Sequence, residues 1–206
     1  VSLCVPFKMM ENDNMLSSID RQLYPENEFP YGQWEYQIFY RENFDKAKQS
    51  LEDNPRNTVK CLFRSGNAEN LGKLANTAFV RKNNGWFKKG IAPDIALDEN
   101  VLSRKELEIY SKYLSENGFF GPGSWYMNTE LNNEYNKKAP LQKLKKPTLF
   151  IHAKYDRVCD TCHTSLADSM RENCSNLKEA TIESGHWMAQ EKPDNVNKTI
   201  QEWLAI

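Results

Sequence analysis

The chain has 206 residues and a mass of 24.0 kDa, enough for one core with a smaller layer attached. It carries 27 basic against 28 acidic residues, and no basic stripe interleaves with aromatics, which excludes nucleic acid as a primary partner. No apolar run reaches the length of a bilayer span, and 12% aromatic residues under a mean hydropathy of −0.75 point to a folded body with a concave aromatic site.

Residues 1 to 7 read as a buried strand ended by Pro6, and residues 8 to 33 as a long excursion loop. From Trp34 to about Asn54, apolar residues recur at helical spacing, as two short helices would place them. Pro55 is placed to open a further helix through Leu62 and Phe63. The stretch 66 to 101 is rich in glycine and asparagine and has little periodicity. Ser103-Arg104-Lys105-Glu106 is a capping-box pattern, and its helix should end at Gly118. Pro122 then starts a short helix bearing Trp125, Tyr126 and Leu131.

Beyond residue 146 the pattern changes. Pro147 to Ala153 is a short apolar strand, followed by a helical stretch from about Thr161 to Asn173. Glu179 to Glu183 is a second strand, and Pro193 to Leu204 a closing helix. Strands alternating with helices imply parallel pairing and right-handed crossovers. A helical block set between such strands reads as a cap on an α/β sheet. The expected organisation is core strand and start of the excursion at 1–12, helical cap at 13–143, and core again at 144–206.

Five cysteines (Cys4, Cys61, Cys159, Cys162 and Cys174) form no secreted-type framework, so a reducing, cytoplasmic setting is expected. Two glycosylation triplets, at Asn173 and Asn197, are of a kind that chance supplies. The opening residues lack the charged and apolar regions of a signal peptide, and they read as a chain that starts in mid-strand.

In parallel sheets, functional groups gather at the C-terminal ends of strands. Asp156 follows the strand ending at Ala153, and His186 follows the one ending at Glu183. A carboxylate and an imidazole delivered from adjacent strands form the orienter and base of a triad, in the acid-then-His order. Either residue alone is more often a cap or a core group; the pair in this context is the stronger reading. His152, inside a strand, and His163, beyond the loop, are weaker candidates. No G-x-S-x-G and no Asp elbow at a strand-to-helix turn supplies a nucleophile. Asp94 and Asp160 both sit in the wrong topological place.

Trp34-Glu35-Tyr36-Gln37, Gly121-Pro122-Gly123-Ser124-Trp125-Tyr126, Ala153-Lys154-Tyr155-Asp156 and Ser184-Gly185-His186-Trp187 together resemble the cap and C-terminal half of an α/β-hydrolase-fold epoxide hydrolase of the soluble type. The resemblance implies an α/β-hydrolase fold with an inserted helical cap. It implies that Tyr36 and Tyr126 are the cap tyrosines, Asp156 the relay acid and His186 the base, with the nucleophilic Asp upstream of this sequence. Trp34, Gln37, Trp187 and Met188 are expected pocket walls, for which ordinary core packing is an almost equal reading.

The reaction implied turns a small epoxide and water into a vicinal diol through an Asp ester, as in detoxification, with no metal or organic cofactor. A segment completing the core from the N-terminal side is the implied partner. Haloalkane or fluoroacetate dehalogenase chemistry on the same fold is the alternative, as is a non-catalytic fragment. Two phenols favour the epoxide. Cys159-Asp160-Thr161-Cys162-His163 also has the c-type haem spacing, a five-residue match that is easily coincidental.

Overall fold

In the computed structural model, residues 1–9, 12–138 and 143–205 are described. Positions 10–11 of the expected excursion, 139–142 of the expected helical block and 206 of the expected core lie outside the described residues. The chain divides into two compact units.

The first unit comprises Val1–Asp20, Gly66–Lys73 and Thr129–Ile206. Its centre is a three-stranded sheet of β1 (Ser2–Leu3), β2 (Thr148–Ala153) and β3 (Leu177–Ile182), all parallel and in the order β1-β2-β3. Ser2 pairs with Phe150, and Thr148 through Ala153 pair with Leu177 through Ile182. As the central strand, β2 is covered on both faces, and its side chains alternate between two apolar layers. Leu149, Ile151 and Ala153 join Cys4, Ile182, Met188 and Val196 on one side. Phe150 packs with Ala167, Met170 and Cys174 on the other.

The helices of this unit are α1 (Asn12–Ser17), α7 (Thr129–Lys138), α8 (Asp168–Asn173), α9 (Met188–Glu191) and α10 (Pro193–Leu204). Three expectations are revised here. The excursion 8–33 contains α1. The helix expected from Thr161 is α-helical only as α8, preceded by a 3-10 turn at Ser165–Ala167. The first strand pairs over two residues only, because Cys4 leaves it with a left-handed φ of 58°.

The second unit, Arg21–Ser65 and Leu74–Asn128, is helical. It holds α2 (Glu35–Glu42), α3 (Phe44–Glu52), α4 (Pro55–Leu62), α5 (Arg104–Asn117) and α6 (Phe120–Ser124). Pro55 does open α4, behind an Asn54 cap that accepts the Asn57 amide at 3.0 Å. The capping box is present: Ser103 Oγ accepts the Glu106 amide, and the Glu106 carboxylate accepts the Ser103 amide at 2.7 Å. The turn after Gly118 starts α6 at Phe120, two residues before Pro122, and Tyr126 sits in a 3-10 turn at Trp125–Met127. Among the described residues, no helix is long and apolar enough to cross a membrane.

Candidate active site

The sequence-selected acid and imidazole meet in the first unit. Asp156 lies past β2 and His186 past β3, and parallel pairing brings both loops to the same end of the sheet. His186 Nδ1 stands 2.6 Å from Asp156 Oδ2. The carboxylate is buried, and its second oxygen accepts the amides of Val158 at 2.9 Å and Cys159 at 3.0 Å. Burial alone would raise the Asp156 pKa. The His186 hydrogen bond and charge, with the two amides, outweigh it and hold the carboxyl below its usual range. For His186 burial works against the imidazolium, and Asp156 outweighs that too, so the imidazole is held above 6.5. The geometry engages Nδ1 with Asp156, so Nε2 is the ring nitrogen turned away from the carboxylate.

Cys4 lies beside this pair. Its thiol donates to the His186 carbonyl at 3.1 Å, and burial together with the Asp156 charge pushes its pKa far up. That makes it a weak nucleophile. Donor atoms of Cys4, Asp156 and His186 all lie within 4.8 Å of one another, a spacing a metal could use. Hydrogen bonds already account for the grouping, since the acid and imidazole hold each other and the thiol is spent on a carbonyl.

The two competing histidines have structural partners. His152 Nδ1 pairs with Thr161 Oγ1 at 2.8 Å and its Nε2 with Glu179 at 2.9 Å, while Arg171 also grips Glu179. His163 is exposed and pairs with Asp160 at 2.9 Å. In the haem-like segment Asp160 accepts the Cys162 and His163 amides, which explains the turn, and both cysteines are free thiols.

The second unit brings the two tyrosines together. Tyr36 on α2 and Tyr126 in its 3-10 turn meet edge to face, with centroids 5.3 Å apart. The Tyr36 hydroxyl accepts from Gln37 Nε2 at 3.1 Å. Tyr126 is also stacked on Tyr40, at 5.3 Å and 22°. Gly123 makes this possible, because a Cβ there would come to 3.1 Å from both Tyr40 and Phe44. Glu35 fixes the start of α2 by accepting the Tyr31 amide at 2.9 Å, with Arg81 3.8 Å away.

Of the expected walls, Trp34 is fully buried in the second unit, and Met188 is buried in the core layer of the first. Gln37 is buried on the Tyr36 hydroxyl, and Trp187 packs edge to face on His186 at 5.3 Å.

Sequence reasoning missed Trp86 and Tyr40. Trp86 donates its indole N–H to the Tyr40 hydroxyl at 3.1 Å and lies 5.7 Å from the Tyr36 ring. Its signal was the Asn83-Asn84-Gly85 turn just before it, where Asn84 is left-handed at φ 55°.

No family model matches the chain. The chain is 32% identical to bifunctional epoxide hydrolase 2 of Rattus norvegicus over 174 residues, and 30% identical to that of Mus musculus over 173. Each match takes in 82% of this chain and 29% of the relative. This chain is a relative of the epoxide hydrolases. It therefore spans less than a third of the length of these curated relatives. A solved epoxide hydrolase from an endophytic Streptomyces superposes with a TM-score of 0.70 at 20% identity, over 98% of this chain and 59% of the other. The likeness at that identity is one of fold: a partial α/β-hydrolase fold with a helical cap.

Proposed function

We propose that this chain is part of an epoxide hydrolase that converts small epoxides and water to vicinal diols. The cap is the stretch 13–143, which contains the second unit, and 1–12 with 144–206 form the part of the core present. The nucleophile is an aspartate in the part of the relatives' length that this chain does not span. Its carboxylate attacks one epoxide carbon, the C–O bond breaks, and an ester forms. Tyr36 and Tyr126 hydrogen-bond the epoxide oxygen and give a proton to the departing alkoxide. His186 Nε2 then takes a proton from water, the hydroxide attacks the ester carbonyl, the diol leaves as the carboxylate is restored, and the imidazolium proton goes back to the tyrosinate left by the first step. Asp156 holds the imidazole in its tautomer and stabilises the imidazolium. Trp34 and Gln37 in the second unit, and Trp187 and Met188 in the first, are the wall residues of this reading. The reaction needs neither metal nor organic cofactor, and the cytoplasm is the compartment proposed.

The observation that carries this reading is the Tyr36–Tyr126 ring pair, built from residues far apart in sequence. Dehalogenase or serine-esterase chemistry has no use for two adjacent phenols. The test is diol formation from an aryl epoxide, on material whose intact mass has been measured under denaturing conditions. Diol should form and should fall sharply in Tyr126→Phe. In His186→Gln an ester adduct should accumulate on the protein. A preparation that contains the upstream core and yields no diol would sink the proposal.

A further inference from the structure

Glu191 lies on α9, and no step of the proposed reaction uses it. Its Oε2 accepts two main-chain amides at once, Gly185 at 2.8 Å and Gly66 at 3.1 Å. The two segments are far apart in sequence, yet both belong to the first unit. Amide hydrogen bonds to a carboxylate are stronger than neutral ones, and a shared oxygen makes each segment depend on the other. Their backbones also touch: a Cβ on Gly66 would overlap the main chain of Ser184 and Gly185. The histidine turn is thus held at three successive residues. The Ser184 carbonyl accepts the Tyr155 amide at 2.9 Å, the Gly185 amide goes to Glu191, and the His186 carbonyl takes the Cys4 thiol. Of these three holds, Glu191 supplies the charged one.

We infer that Glu191 is a positioning residue for His186, acting through the Gly185 amide and binding the Gly66 segment to the histidine turn. Without the carboxylate, the Ser184–Gly185 peptide keeps its carbonyl bond to the Tyr155 amide but loses the hold on its N–H, and the imidazole moves off the Asp156 oxygen. The inference rests on the reading of His186 as the base. Its readouts lie on the histidine and the two glycines, so a failure of the epoxide reading and a failure of this one are separable.

The experiment compares the unaltered protein with Glu191→Ala and Glu191→Gln by NMR. In Glu191→Ala the Gly66 and Gly185 amide resonances should move together, and the far-downfield proton between Asp156 and His186 should weaken. The His186 titration should fall back toward 6.5. Glu191→Gln keeps an acceptor oxygen and should restore all three signatures. With an epoxide substrate, kcat and KM should fall together in Glu191→Ala, because hydrolysis of the ester is slowed while its formation is not. A folded Glu191→Ala protein whose His186 titration and downfield proton are unchanged would overturn the inference. Should that variant fail to fold, amide exchange in the unaltered protein decides. Gly66 and Gly185 must open together with equal protection, and a Gly66 amide that exchanges freely beside a protected Gly185 overturns it.

Discussion

Asp156 is bonded on both oxygens: His186 Nδ1 holds one at 2.6 Å, and the amides of Val158 and Cys159 share the other. Asparagine could still accept the two amides through its oxygen. It would turn an N–H donor toward His186 and favour the wrong tautomer. We expect Asp156→Asn to lose about 1–2 kcal/mol in urea unfolding, the low end for a charged hydrogen bond because the imidazole is half exposed. Diol formation should fall by about 10²- to 10⁴-fold, the share of a general base.

The pair also sets a pH window. His186 is raised, so its stabilisation is whole below 6.5 and is lost as pH climbs through the higher folded value. Asp156 is lowered, so its stabilisation is whole above 3.8 and is lost as pH falls through the lower folded value. The stability difference between the unaltered protein and His186→Gln should therefore be greatest between 3.8 and 6.5 and shrink on both sides, as urea unfolding across pH would show. Hydrolysis of the ester needs neutral imidazole, so its rate should rise as pH passes upward through the raised His186 value.

Gly123→Ala addresses the tyrosine pair. The added methyl would sit 3.1 Å from Tyr40 and Phe44, tighter than ordinary contact, and the turn bearing Tyr126 must give way. A cost of about 1–3 kcal/mol is expected, as for overpacking elsewhere. The near-ultraviolet circular dichroism of the aromatic group should weaken. The His186 titration, which belongs to the other unit, should stay in place.

Tyr40→Phe removes the acceptor for the Trp86 indole while leaving a ring to stack on Tyr126. Stability should drop by about 1–2 kcal/mol, the cost of stranding a partly buried donor. Trp86 fluorescence should shift as its N–H seeks water. An unchanged emission spectrum would mean that the Tyr40 hydroxyl is not its partner in solution.

How far the chain could be read depended on the distance over which each cause acts. Pro55, the Ser103 capping box and the short apolar run through Leu149-Phe150-Ile151 are local signals, and each produced the element expected. Parallel pairing followed from β–α alternation, and it put Asp156 and His186 on loops at the same end of the sheet. The left-handed bend at Cys4 carried no local signal, since asparagine or glycine usually fills such a position. Trp86 was missed because an aperiodic stretch gives no register, and only packing on Tyr36 and Tyr40 shows where it lies. Glu191 is a helix residue like any other until Gly66 and Gly185 are seen to share its oxygen.

The cysteines are graded in a way that serves the experimenter. Cys4 and Cys159, both beside Asp156, are buried, and their thiols are pushed far from ionising. Cys174 is buried as well, while Cys162 is exposed and Cys61 partly so. Alkylating reagents should therefore reach Cys162 first, Cys61 next and the thiols beside the acid last. With Cys61 changed to serine, a dye placed on Cys162 would stand a few residues along the chain from Asp156, as a reporter on that loop that leaves the carboxylate untouched.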